Sequence, residues 1–280
     1  MARRTLGSAR ASEIAELAHS VADYHFPNRW IDPEPVIRKL GITLTFGYYG
    51  DCFDGMLECK KGRFHIYCNL ERVLNTTSGR ARFTLSHELG HYFIDAHRNA
   101  LKSGKVPSHP SFCSQPDPAS VVEEEADHFA SHLLMPADRV AKVFDLDEPG
   151  VSLDDIVRME ETFHVSFQSA AIRVLSSTRR GACACIMWQK NGKQWNRVTG
   201  PLMDQGLQYP KRDRTSLPED CATRKAMNAE GDRSGIQTCG TTASCWFTGV
   251  QPGSHKDIIM IEEAKRLGQW GVFTLLRPRR

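Results

Sequence analysis

The chain reads as an α+β protein built in two parts, and three observations say so. Apolar residues recur at helical spacing around a histidine-bearing segment at 81–95 and again at 121–136. Short alternating stretches at 42–46, 54–59 and 64–68 read as strands of a small antiparallel sheet placed before those helices. A polar run, Ser176-Ser177-Thr178-Arg179-Arg180-Gly181, then separates the helical part from a region of aromatic-rich strands. The expected boundaries are 1–178 for the first domain and 179–280 for a smaller α+β second domain.

Bulk properties exclude several classes. A net charge of +3 with pI near 8.4 is too mild for a nucleic-acid binder. Arg277, Arg279 and Arg280 form a basic tip that reads as a solvated end. The N-terminal MARRTLGSAR has basic residues with no apolar core after them, so it does not read as a secretory signal. No apolar run approaches the ~20 residues of a membrane span. Nine cysteines, an odd number with no C-x-x-C, fit reduced thiols in a cytoplasm rather than a disulfide framework. Cys183-x-Cys185 would share one face of a strand, as two small buried residues.

From the N-terminus, Ile14, Leu17, Ala18, Val21 and Ala22 give a helix over 11–25 with Ser12 as its cap. Pro35 to Leu40 gives a second, short helix stopped by Gly41. It is too short to read a DNA groove, which argues against a helix-turn-helix. The strand pair 54–59 and 64–68 closes through Lys60–Arg63. A sheet edge so placed is a natural docking site for an extended peptide.

Within 81–95, His87-Glu88-Leu89-Gly90-His91 is an H-E-x-x-H. Positions i and i+4 of a helix lie about 40° apart around the axis, so His87 and His91 point the same way. Two imidazoles on one face can hold a divalent metal, most often zinc. Glu88, beside that face, can take a proton from a water the metal polarises. The flanks Phe83, Leu85, Leu89, Phe93 and Ile94 are apolar, so the helix is expected to be buried. Buried histidines and a glutamate cost several kcal/mol unless paired or bound to metal.

Residues 96–120 read as irregular, with His97, His109 and Cys113 among them. The following helix, 121–136, carries Glu123, Glu124 and Glu125 beside an apolar stripe of Val122, Ala126, Phe129, Ala130 and Leu133. It can supply a third metal ligand. Glu124 falls nearly opposite the stripe and should face water, while Glu123 and Glu125 flank it, so either can turn into a metal site. Asp95, at i+4 from His91, competes as a ligand or as a carboxylate orienting an imidazole. Helices continue over 137–160 and 161–176. Beyond the polar run, strands are expected at 182–188, 194–198, 242–250, 257–262 and 270–276, with an Asn191-Gly192 turn. Residues 200–240 are polar and loop-rich.

The segment Arg82-Phe83-Thr84-Leu85-Ser86-His87-Glu88-Leu89-Gly90-His91, paired with Glu125-Ala126-Asp127-His128-Phe129-Ala130 and Leu133-Leu134-Met135-Pro136, resembles the ImmA/IrrE family of bacterial metallo-endopeptidases. The likeness extends to Asp54-Gly55, to the strand ending at Asn69 and to Phe163-His164-Val165-Ser166, and covers roughly residues 10–178. Ser86 departs from it, since alanine is common there. The resemblance implies a zincin-like fold, His87 and His91 as ligands of one zinc per chain, Glu88 as catalytic base, and an acidic ligand placed at Glu125. It implies hydrolysis of an intracellular protein substrate, a helix-turn-helix transcriptional repressor, whose loss derepresses stress or mobile-element genes. Tyr92, His109, His128 and His132 are candidates to stabilise the oxyanion. The second domain is expected to sense a ligand or partner. The rival readings are a metal-containing regulator that sequesters a repressor without cutting it, and a DNA binder using the N-terminal helices.

Overall fold

The computed structural model describes residues 6–27, 30–104, 108–111, 121–145, 147, 150–177, 181–189, 194–211, 213–229 and 235–279, without the side chains of His109 and Gln194. Contacts divide the chain into two units, Met1–Val143 with Met159–Ala170, and Phe144–Arg158 with Ala171–Arg280.

The first unit begins with helices α1 (Ser8–His25) and α2 (Pro33–Lys39). Strands β1 (Thr43–Gly47), β2 (Gly55–Lys60) and β3 (Arg63–Asn69) follow, then a turn of helix α3 (Leu70–Val73). Next come α4 (Gly79–Phe93), α5 (Asp95–Lys102), β4 (Ser108–Ser111), α6 (Val121–Leu134) and α7 (Ala137–Val143). Helices α8 (Leu153–Phe163) and α9 (Phe167–Ser177) are divided between the units. The sheet order is β1-β3-β2-β4. It is mixed rather than purely antiparallel, because β1 runs parallel to β3. The stretch expected to be irregular holds α5 and β4, and β4 pairs with the β2 edge. Pro110 on β4 sits opposite Met56, a position that suits an edge strand.

Helix α4 lies against β2 and β3 on one side and α6 on another, and α6 also packs on α1. Leu57, Ile66, Leu85, Leu89, Phe129 and Leu133 are buried in this unit's core. Ser78 caps α4 by accepting from Ala81 N–H at 3.0 Å. The Val165–Ser166 backbone lies where a Cβ on Gly79 would be, so the 163–166 phrase seats the start of α4. Asp54 and Asn69, both fully buried, hold the sheet end. Asp54 accepts from Arg72 Nε at 2.7 Å and from Arg80 at 3.2 Å. Asn69 donates to the Gly50 and Phe53 carbonyls at 2.7 and 2.8 Å.

In the second unit, β5 (Ala184–Trp188) and β6 (Gln194–Val198) are followed by a turn of helix α10 (Gly200–Met203) and by α11 (Ala222–Asn228). The rest is β7 (Gln237–Thr242), a turn of helix α12 (Ala243–Trp246), β8 (Ile259–Arg266) and β9 (Val272–Pro278). The sheet is antiparallel throughout, in the order β6-β5-β9-β8-β7. The strand expected over 242–250 is instead the end of β7 followed by α12, with Trp246 and Phe247 turned into the core. Residues 200–240 hold α10 and α11, which propensity alone does not reveal in so polar a run. Trp188, Trp246, Phe247 and Phe273 are core, and Cys183 and Cys185 are both fully buried. The Asn191-Gly192 turn, residues 178–180 of the polar run and Cys113 lie outside the described residues.

Candidate metal centre

All of Ser86 to His91 is buried, in the part of α4 flanked by β2 and α6. Two close approaches put it there. An ideal Cβ on Gly90 would stand 3.2 Å from both Cα and the carbonyl oxygen of Ala126, so α4 and α6 nearly touch at that point. A Cβ on Gly55 would stand 2.5 Å from Thr84 Cγ2 and 2.7 Å from Glu88 Oε1, so β2 leaves the Glu88 carboxylate its space only because Gly55 has no side chain.

The contact at Ala126 sets the phase of α6. Glu123 lies one turn before Ala126 and so faces α4; its carboxylate is 3.4 Å from His87 Nε2 and 3.2 Å from His91 Nε2. The two Nε2 atoms are 3.0 Å apart. His87, His91 and Glu123 each offer a donor atom, all within 4.8 Å of one another. Asp127, one turn further along the same face, takes His87 Nδ1 at 2.8 Å.

Glu125, the position placed as ligand by resemblance, does not join the histidines. It sits two residues from Glu123, about 160° away around the helix by the shorter way. Its carboxylate is gripped by Arg10 of α1, through Nε at 2.9 Å and a second guanidinium nitrogen at 3.0 Å. It also meets His97 Nε2 at 2.9 Å, and His97 Nδ1 is 3.2 Å from His91 Nδ1. Asp95 is not on the His91 face either. Ile94 is extended, with ψ of 110°, which breaks the helix after Phe93 and leaves Asp95 exposed and paired with Arg98. His128 points to α1, where Nε2 meets the Ala11 carbonyl at 3.0 Å, and its ring lies beside that of His132. Tyr92 packs edge-on to Phe64. The side chain of His109 lies outside the described residues.

Burial, with the nearby His87 and His97, pushes His91 down to about 3 against the pull of Glu123, so its imidazole is neutral at physiological pH. His97 is also lowered, chiefly by burial. Glu125 goes down despite its burial, because the Arg10 hydrogen bonds and charge outweigh desolvation.

These donors fit a metal. With His87 Nδ1–H given to Asp127, its Nε2 carries a lone pair, 3.4 Å from a carboxylate and 3.0 Å from the Nε2 of a neutral His91. Two imidazole nitrogens and a carboxylate that converge in a largely buried pocket suit a cation among them. Tetrahedral zinc, with bonds of about 2.0–2.1 Å, needs donors about 3.3 Å apart, which matches the observed separations.

A helix-borne H-E-x-x-H whose two histidines meet a carboxylate from a neighbouring helix is a donor set that could hold a divalent metal. The chain's 73–175 segment matches the family model of the IrrE N-terminal-like domain, Peptidase_M78. A Mycobacterium tuberculosis transcriptional regulator of solved structure aligns over 96% of this chain and 81% of its own at 13% identity, with a TM-score of 0.48. No curated protein matches the chain. Among the described residues, no helix is long and apolar enough to cross a membrane.

Sequence reasoning left Glu123 and Glu125 open as the converging carboxylate and the resemblance favoured Glu125; it gave His97 no defined role and did not single out Asp127 as a support. One signal was available: Glu123 and Asp127 share a face at i and i+4, so a ligand and an imidazole partner can come from one side of α6. Nothing in the spacing announced His97, because the break at Ile94 reorients the chain before it.

Proposed function

We propose that the chain is a zinc-dependent endopeptidase with His87, His91 and Glu123 as metal ligands and Glu88 as general base. The observation that carries this is the convergence of His87 Nε2 and His91 Nε2, from the helix that holds Glu88 beneath Gly55, with the Glu123 carboxylate of α6. When bound, the metal supplies a positive charge that polarises a scissile carbonyl and acidifies a water. His87 and His91 present lone pairs toward it, and Asp127 holds the His87 ring in the tautomer that does so. Glu88 takes the proton of the attacking water and passes it to the leaving amine. Among the described residues β4 is the outer strand of its sheet, a position at which an extended peptide can add as a further strand. Family resemblance supports a helix-turn-helix repressor inside a bacterial cell as the substrate class.

The test is one set of purified proteins offered zinc, then a repressor substrate or a random peptide mixture, with new termini read by mass spectrometry. About one zinc per chain is expected in wild type, lost in His91→Ala and Glu123→Ala. Glu125→Ala should retain zinc with reduced affinity. Glu88→Gln should hold zinc yet cleave at least ~100-fold more slowly, the lower range for removing a general base. Wild type that takes up no zinc sinks the reading. Zinc uptake with repressor binding but no cut, unchanged in Glu88→Gln, establishes the sequestering regulator instead.

A further inference from the structure

A continuous chain of polar groups leads to one of the proposed ligands: Arg10, Glu125, His97, His91. Its members come from α1, α6, α5 and α4, so four elements have been brought together for it. His97 and His91 are both buried. With both imidazoles neutral, as burial favours for His97 and His91 alike, the protons along this chain have one arrangement that satisfies its contacts. Glu125 is ionised and accepts from both Arg10 nitrogens, so it can only accept from His97 as well. His97 Nε2 therefore carries its proton. In a neutral ring the other nitrogen, Nδ1, is then a bare acceptor. It faces His91 Nδ1 at 3.2 Å, so the His91 proton must sit on Nδ1 to complete the bond. That leaves His91 Nε2 bare and aimed at His87 Nε2 and Glu123.

We propose that His97, locked by Glu125 and Arg10, is a positioning residue that fixes His91 in its Nδ1–H tautomer and so sets the affinity of the metal centre. The role rests on the metallopeptidase reading for its consequence, though not for the tautomer itself. It also gives Glu125 and Arg10 a use that the ligand set does not. His87 reaches the same tautomer through one carboxylate, Asp127, whereas His91 reaches it through a second imidazole. The α1 helix thereby contributes to a site it does not enter.

Two variants of His97 separate this role from simple packing. His97→Phe fills the ring's volume and removes the acceptor. His97→Asn is smaller and keeps an oxygen near the position of Nδ1. The relay predicts that His97→Phe weakens zinc binding roughly 10–100-fold, the usual cost of losing an outer partner, and that His97→Asn recovers to within a few-fold of wild type. A packing role predicts the reverse order, which would overturn the proposal. Zinc affinity is read by competition with a chromophoric chelator. The second readout is ¹⁵N NMR of the imidazoles in metal-free protein. His91 should carry its proton on Nδ1 in wild type and shift toward Nε2–H in His97→Phe and Glu125→Leu. A wild-type His91 protonated on Nε2 overturns the relay whether or not any variant folds. Failure of wild type to bind zinc overturns the metallopeptidase reading, while the metal-free spectrum still decides the relay.

Discussion

Glu88 is fully buried, and Gly55 decides how much room it has. Adding one methyl there sets carbon against Thr84 Cγ2 and Glu88 Oε1 at distances that real side chains do not show. Either β2 retreats or the Glu88 carboxylate turns aside. Overpacking of this size costs about 1–3 kcal/mol. Gly55→Ala should therefore lower the melting temperature by several degrees and depress hydrolysis further than the lost folded fraction explains. Zinc content should stay at wild type, because the atoms nearest the added methyl belong to Thr84 and Glu88 and not to a proposed ligand. Calorimetry with metal analysis on the same sample checks both; an unchanged rate would mean that Glu88 does not need its present place. Asp54 supports this arrangement from the preceding position. It is a buried carboxylate held by Arg72 and Arg80, each partly open to solvent. Asp54→Ala leaves two guanidiniums without that partner, and a loss of about 2–4 kcal/mol in denaturant unfolding is expected after allowing for screening.

At the scale of elements, the centre depends on how closely α4 and α6 approach. Gly90→Ala would place a Cβ 3.2 Å from the Ala126 backbone and 3.3 Å from Phe129 Cβ, so the helices must part by a few tenths of an ångström. The substitution also adds about 1 kcal/mol of helix propensity, which offsets the crowding. Stability near wild type with zinc affinity weaker on the order of tenfold is the expected outcome. Chelator competition and a melting curve on one preparation would measure it, and unchanged affinity would show that the contact at Gly90 does not place Glu123. The same contact explains what could be read in advance. His87, Glu88 and His91 were legible because a single helix carries them and its period is known. The fourth residue was not, since Glu123 and Glu125 both flank the stripe and only the packing of α6 between α4 and α1 separates them. Glu123 faces the histidines, and Glu125 faces Arg10. Asp95 was misleading for a related reason: i+4 counting from His91 assumes a helix that Ile94 has already ended.

Across the whole chain, the thiols report on the folding of both units. The eight described cysteines are all free, with Cys52 exposed and Cys68, Cys183, Cys185 and Cys221 buried. A strand was readable in Ala182 to Trp188, and β5 is buried along its whole length, so Cys185 on it and Cys183 just before it are both hidden, as two small buried residues. Burial pushes the Cys183 thiol up to about 12 and raises Cys185 as well, while Cys239, beside buried Glu262, rises to about 11, with its own desolvation as the first cause. The thiolate is the reactive species, so at pH 8 a thiol of pKa 12 is ionised only to about one part in ten thousand. Timed alkylation of the native protein at pH 8, read peptide by peptide, should modify Cys52 within minutes. Cys183 and Cys185 should label only as fast as the second unit unfolds. Raising the pH to 9 should change the labelling of the buried pair little while the fold holds. Early labelling of Cys183 or Cys185 with the melting curve intact would mean that β5 opens locally. Because β5 lies between β6 and β9, such opening would have to break pairing on both of its edges.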